Sequence, residues 1–458
     1  MPDHGSISRR EFLEKTTLLA SAAGIAVGAK KARAQLNNGL QPPPGRVGVA
    51  FIGVGIRGTI LLKDSLPVAG VEPVAICDLY QGHLDAIKET VDQTIFTTRD
   101  YQEILARSDV DAVVLAVPDH WHKRTFIESL QAGKHVYQEK PMTHRWEDGE
   151  EFIKAEKKYK KVVQVGSQYL SMACVDKAKD IINSGRLGQI TMIEARMHRN
   201  SSTGAWYYPI PPDASEQTID WKRFIGDSKW YDFDPKRFFQ WRLFWDYSGG
   251  LPTDLFVHLV GAVHDLMGVE TPEKVVSFGD IFRWDKEGGG YRDVPDQMEA
   301  MAFYPDKGFN LKLTATANNS HPGPAIVIYG TNGTMEYDGE WLKYYYEPRR
   351  ENYTYPTESW TRETVKEFAG IMKLDKDLSP VVQSPPRAGE PFEIRSEGGE
   401  GTTTAHLRDF YDAIRSGTKA IEDSTFGHNA ALVGHMSNIS YKTGKVVHYN
   451  KKTGKVEV

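Results

Sequence analysis

From Arg46 to Gln168 the chain repeats one unit, a short apolar run followed by an amphipathic stretch. VGVAFIG leads to ILLKDSL, VEPVAICD to LDAIKETV and DAVVLAVP to TFIESLQAG, and HVYQEKP closes the series. Half-exposed strands alternate apolar and polar residues, whereas continuous apolar runs of about 5 residues fit strands buried on both faces. Alternating with helical patterns, such runs predict a doubly wound parallel sheet, an α/β domain over residues 46–168.

Beyond Gln168 the pattern changes. DKAKDIINSGRLG predicts a helix stopped by Gly185, and ITMIEARMHR, KVVSFGDIFRW, DQMEAMAFYP, FNLKLTATAN and AIVIYGTNGTMEYD read as strands. Asn332-Gly333 is a hairpin turn signal. Residues 169–458 are therefore expected to form a second α/β domain around a large, mostly antiparallel open sheet. Residues 376–404, rich in Pro, Gly and Glu, read as a surface excursion or lid. TTAHLRDFYDAIRSG predicts a helix with Thr403 or Thr404 as N-cap and Gly417 as its stop.

The N-terminus has its own grammar. Arg9-Arg10 with Phe12-Leu13 precedes an apolar run, Leu18–Ala29, then Lys30-Lys31 and Ala32-Arg33-Ala34. A basic region, a short apolar region and a small-x-small site make a secretory signal over residues 1–34. The run is shorter than the roughly 20 apolar residues of a membrane span. The arginine pair points to the twin-arginine route, which exports proteins already folded, and so to a periplasmic or other extracytoplasmic location. A proline-rich linker fills 35–45. No other stretch is apolar enough to cross a membrane, so the mature chain is expected to have no span.

Removing residues 1–34 takes away six Lys/Arg and three Asp/Glu and moves the net charge from −5 to −8. A mildly acidic chain with no basic stripe argues against a nucleic-acid partner. Two cysteines, Cys77 and Cys174, allow at most one disulfide and no thiolate metal site.

Three constellations carry chemistry. Gly53-Val54-Gly55-Ile56-Arg57-Gly58 follows the first apolar run and opens a helical pattern, the arrangement in which a dinucleotide pyrophosphate meets backbone N–H groups and a helix N-terminus. Asp78 lies 20 residues after Gly58, at the end of the second run. Its carboxylate can bind both ribose hydroxyls and would repel a phosphate, which favours NAD over NADP. The domain reads as a Rossmann NAD-binding domain. Second, Glu139-Lys140-Pro141 ends another strand at the ligand crevice; a lysine there can polarise a substrate oxygen or exchange its proton, and Glu139 can hold the chain or the ribose. Third, SGGLPTDLFVHLVGAVHDLMG places Asp254 and His258 four apart on a helix opened by Pro252, where a carboxylate can orient an imidazole for moving a hydroxyl proton.

This ordered set resembles the Gfo/Idh/MocA oxidoreductases, over most of the chain from Arg46 onward. The resemblance implies hydride transfer between a nicotinamide and a ring carbon of a sugar, glycoside or polyol, in a homo-oligomer whose contacts are often built by the open sheet. It makes Lys140 the central catalytic lysine, with Asp254 and His258 binding or deprotonating the substrate hydroxyl. Many relatives carry an Asp three residues after the helix histidine; Gly261 stands at that position. That departure favours His258 over Asp254 as proton carrier.

Two further stretches join the candidate site. Pro118-Asp119-His120-Trp121-His122 follows a strand at a loop near the nicotinamide in this architecture, giving Pro118 and His122, together with Glu139 and Lys140, as cofactor contacts. His120 and His122 lack an acidic or Cys partner in spacing, so packing is preferred to metal ligation. PKRFFQWRLFWDY, residues 235–247, is dense in aromatics and Arg and reads equally as domain core or as a sugar platform. Arg242, Trp245 and Tyr169 are the substrate-binding candidates.

Three functions are consistent with these residues. The leading one is an exported NAD-dependent carbohydrate oxidoreductase with tightly held cofactor, because no ready pool of NAD exists outside the cytoplasm. The second is a redox-neutral NAD-dependent glycosidase or lyase working through a transient keto-sugar, and the third a non-catalytic sugar-binding protein.

Overall fold

The computed structural model describes residues 45–347, 351–380, 391–396 and 400–458. The signal-like segment 1–34 and linker residues 35–44 lie outside these, as do 381–390 and 397–399 of the Pro/Gly/Glu-rich stretch.

The first sheet contains β1 (Val47–Ile52), β2 (Val71–Cys77), β3 (Phe96–Thr98), β4 (Ala112–Leu115), β5 (His135–Glu139) and β6 (Val163–Gly166). All are parallel, in the order β3-β2-β1-β4-β5-β6. Every residue of β1 and β4 is buried, as continuous apolar strands require. Strand order reverses between β1 and β4, and the crevice outside their carboxyl ends is where ligands of such sheets bind. One face is completed from far along the chain. Leu407, Phe410 and Tyr411 of the helix Thr402–Ser416 pack into the cluster of Val49, Phe51 and Leu61, and Tyr411 OH lies 2.8 Å from Ser65 Oγ. That helix is capped by Gly401, earlier than Thr403 or Thr404, because the helical turn already includes Thr402; Gly417 ends it with φ +67°.

The second sheet contains β7 (Ile190–His198), β8 (Lys274–Asp280), β9 (Gln297–Tyr304), β10 (Phe309–Thr316), β11 (Ala325–Gly330), β12 (Gly333–Tyr337), β13 (Trp341–Tyr346), β14 (Phe392–Arg395), β15 (Val447–Asn450) and β16 (Lys455–Glu457). Their order is β14-β13-β12-β11-β7-β10-β9-β8-β15-β16, antiparallel except for the pair β7–β10. Burial alternates along β9 and β10, so one face packs on helices and the other is open. The β11–β12 hairpin pairs Tyr329 with Thr334.

Two helices on the packed face, Val257–Met267 and Ser424–Thr443, bring the sheets together. His264 Nε2 meets Tyr304 OH at 2.7 Å, tying the first to β9. Gly434 of the second has no room for a side chain, since a Cβ would sit 2.8 Å from Pro252 O. This close approach, with Asn438 Nδ2 donating to Gly249 O at 2.7 Å, fixes the segment that carries Asp254. Both cysteines are free and buried.

Candidate active site

A cavity of about 500 Å³ opens at the carboxyl ends of β1, β2, β4 and β5, roofed by residues of the second domain. Its floor is the glycine turn. Gly53 has φ +84°, and a Cβ on Gly58 would lie 1.9 Å from Gly53 O. Only glycine therefore allows helix Ile56–Ser65 to start so close to β1. Gly55 faces the cavity, with only the His83 ring within 4 Å of a Cβ placed there. The helix has no capping side chain and no acidic residue in its first turn, which leaves its positive end free for phosphate oxygens.

Asp78 accepts from Val54 N at 2.8 Å and Tyr80 N at 2.9 Å and lies 3.1 Å from His83 Nδ1. Burial opposes its ionisation, but His83 and the backbone donors hold it below the ordinary Asp value. It is thus an anion at the position where ribose hydroxyls are expected. Glycine turn, open helix end and ionised Asp78 fit a dinucleotide; Gly53, Gly55, Ile56, Arg57, Gly58 and Asp78 would hold it.

Glu139 holds the chain. Its Oε1 takes Arg57 Nε at 2.6 Å and Gln168 Nε2 at 3.2 Å, and its Oε2 takes Lys140 N at 3.2 Å. These contacts aim Lys140 across the cavity, where Nζ donates to Asp254 O at 2.8 Å and Asp254 Oδ1 at 2.9 Å. An ammonium has three donors. The third remains for a ligand oxygen.

Asp254 does not orient His258. Pro252–Phe256 forms a π turn, so the four-residue spacing does not stack the two side chains as in an α-helix, and Arg242 Nε joins Lys140 on Asp254 Oδ1 at 3.1 Å. Two cations outcompete a neutral imidazole for the carboxylate. Against the cost of burial, Lys140 and Arg242 hold Asp254 well below the usual carboxylate range. His258 lines the cavity, stacks on Tyr169 at 5.2 Å between centroids, and keeps a buried Nδ1 without a hydrogen-bond partner. Burial first, then Lys140, push it well below the ordinary His value, so the ring is neutral.

The cavity gathers Pro118, Glu139, Lys140, Arg242, Asp254 and His258. Tyr169 reaches it only through His258. His122 and Trp245 stand apart: His122 is buried, its ring nitrogens 2.7 Å from Pro141 O and 3.0 Å from Val117 O. It ties together the loops after β4 and β5. Trp245 donates its backbone N–H to Asp293 and lies under Lys442, 3.9 Å from the ring centroid. Gly261 faces Leu170, Phe426 and Ser167.

Sequence reasoning passed over three features. Asp119 is buried in the cavity wall, with Gly249 N donating to it at a long 3.4 Å. Burial pushes it up to about 7, against Arg242 and with Asp254 adding. Arg199 lines the opposite wall at the end of β7. The third is a strap, residues 206–239, that crosses from the second domain over the far end of the cavity. Asp220 N donates to Leu79 O and Gln81 N to Thr218 O, both at 2.9 Å. Tyr80 OH donates to Asp213, and Arg223 pairs with Asp100 at 3.0 Å. His120 Nε2 and Trp121 Nε1 both meet Phe224 O, at 2.8 and 2.9 Å.

Comparison with known proteins gives the same two halves. A model described as an oxidoreductase family, NAD-binding Rossmann fold, matches residues 47–167, and one described as the C-terminal alpha/beta domain of that family matches 179–445. Inositol 2-dehydrogenase of Salmonella paratyphi B is 32% identical over 171 residues, 37% of this chain and 50% of the relative. The chain thus spans about half the length of that curated relative. The 2,7-anhydro-N-acetylneuraminate hydratase of Mediterraneibacter gnavus is 24% identical over 294 residues, 64% of this chain and 67% of the hydratase. Levoglucosan dehydrogenase, solved with NADH and levoglucosan, superposes with a TM-score of 0.61 at 20% identity, over 88% of this chain and 99% of that one.

Proposed function

We propose an activity for a chain that belongs to the Gfo/Idh/MocA oxidoreductase family: reversible oxidation of a secondary alcohol on a sugar, glycoside or polyol, by a protein exported folded with its NAD inside. The observation that carries it is Lys140, tied through Glu139 to the glycine turn and through Nζ to Asp254, with one donor left for a substrate oxygen. Bound NAD supplies the hydride acceptor or donor. Lys140 holds the alcohol oxygen and stabilises negative charge developing on it, Asp254 and Arg242 fix the lysine, and neutral His258 takes the proton. Inositol and levoglucosan dehydrogenases among the similar proteins support the substrate class.

Retention of cofactor is supported by the strap, which is held over the far end of the cavity by several backbone and side-chain hydrogen bonds. Arg9-Arg10 and the apolar run behind them support export by the twin-arginine route. Mass spectrometry of the purified, denatured protein should find about one nicotinamide dinucleotide per chain. Its absence, with weak binding of added NAD, contradicts retention.

The similarity to a hydratase of an anhydro-sugar favours a second reading, redox-neutral bond cleavage through a transient keto-sugar. A glycoside offered without added NAD separates the two: catalytic release of aglycone supports this reading, a single turnover the oxidoreductase.

A further inference from the structure

The guanidinium groups around the cavity are not equivalent. Arg57 is paired with Glu139, Arg242 with Asp254, and Arg223 with Asp100 and Asp220. Arg99 has no carboxylate but donates to Thr218 O and Gln81 Oε1. Arg199 forms no ion pair among the described residues and, unlike Arg99, donates to no oxygen there: its side-chain hydrogen bond runs from Nη2 to Met197 Sδ at 3.8 Å, and it feels Asp254 only through space. A half-buried guanidinium with no carboxylate in hydrogen-bonding contact keeps most of its N–H donors for a ligand.

The local structure explains its position. Ile193, Ala195 and Met197 point into the core from β7, so the period of two directs Arg199 the same way, where the core face runs out into the cavity. The chain then turns back at Trp206, a buried residue with φ +70°. A bulky side chain in the left-handed region is strained and persists only where its surroundings impose it. That turn delivers Tyr208 to the cavity wall, where it is joined by Trp241. Both rings are half-buried. Arg242 lies over one face of Trp241, 4.2 Å from the ring centroid, and Arg199 lines the same cavity as the two rings. A free planar fork and aromatic faces in one cavity recognise an oxyanion on a ring whose C–H face can stack.

We propose that the substrate is an anionic sugar, a ring bearing a carboxylate or a sulfate ester that Arg199 binds while Tyr208 and Trp241 contact the ring. This rests on the carbohydrate reading above and narrows it. Calorimetry on the holoprotein at low salt tests it, with glucuronate, galacturonate and a sulfated glucose each compared with neutral glucose or galactose. At least one anionic sugar should bind about 10- to 100-fold tighter than its neutral parent. Arg199→Met should abolish that preference, and Arg199→Lys, which keeps charge without the fork, should retain part of it. Whichever anion shows the larger preference identifies the group. Equal binding of acid and parent, a preference that survives Arg199→Met in protein retaining its cofactor and melting transition, or no binding by any of the anionic sugars overturns the inference. The absorbance of reduced nicotinamide, followed in the same samples, reports separately on redox chemistry. An acid bound with the expected preference but never altering that absorbance counts against the oxidoreductase reading and leaves the anion site standing.

Discussion

Replacing Asp254 with Asn removes the charge on which Lys140 and Arg242 converge while keeping the side chain's size. Two nitrogens that touch one oxygen at 2.9 and 3.1 Å are no more than about 6 Å apart. At an effective dielectric constant of about 20, two such cations repel by about 3 kcal/mol. The Lys140, Asp254 and Arg242 side chains are only 10%, 11% and 23% exposed, so water screens little of this. Without the anion that repulsion is no longer offset, and a stability loss of about 3 kcal/mol or more is expected, in the range measured when one partner of a buried pair is removed. The sign with pH follows from the lowered folded-state value. Asp254 stabilises above the ordinary Asp value of 3.8, and the difference between wild type and variant should be full near neutrality and shrink as pH falls below that value. Denaturant unfolding as a function of pH measures it. Because Lys140 loses its anchor, kcat/KM should also fall by about 10²-fold. A stability loss under about 1 kcal/mol together with unchanged kcat/KM refutes the claim that Asp254 fixes the lysine.

Lys140→Met should lower kcat by about 10²- to 10⁴-fold while nicotinamide content, measured after denaturation, stays at the wild-type level, since the side chain bonds to Asp254 and not to the glycine turn. Asp119→Asn should change the pH dependence of stability: native Asp119 titrates at about 7 rather than 3.8, so its protonated form is favoured in the fold and stability is lost as pH rises from about 4 to 7. The variant should show a flatter stability profile across that window in parallel denaturant titrations, and a steeper one would contradict the placement of a buried, weakly paired carboxyl. Asp213→Ala with Arg223→Ala removes two of the strap's side-chain ties. Cofactor loss on repeated dialysis should be at least about 10-fold faster than in wild type, and an unchanged rate would show that the strap does not retain it.

The first sheet was legible because both its faces are covered, which leaves continuous apolar runs in the sequence, and because glycine spacing and Asp78 report on one turn of backbone. The central strands of the second sheet were visible through alternation. Its edge strands β13 to β16 were not, since short edge pairs bury less and carry a weaker pattern. Lys140 and Asp254 were found as separate motifs, but their contact spans 114 positions and depends on a π turn that shifts the helical phase. The expected Asp254–His258 pair failed for that reason. The aromatic run divides: Trp241 and Arg242 line the cavity while Trp245 serves the fold under Lys442. Asp119 stood within a stretch noted for its histidines, yet its burial comes from Gly249 and the second domain, which no local pattern encodes. Arg199 was in principle readable as the next member of the Ile193, Ala195, Met197 series, but nothing in the sequence says that the series ends in a cavity.

The most direct test is the near-ultraviolet absorbance of nicotinamide in the purified protein, mixed with a panel of neutral and anionic sugars and no added cofactor. At least one sugar should change the redox state of the retained nicotinamide in wild type, and the same sugar should leave it unchanged in Lys140→Met. Sugar binding with no change in wild type, or an equally fast change in the variant, contradicts that expectation.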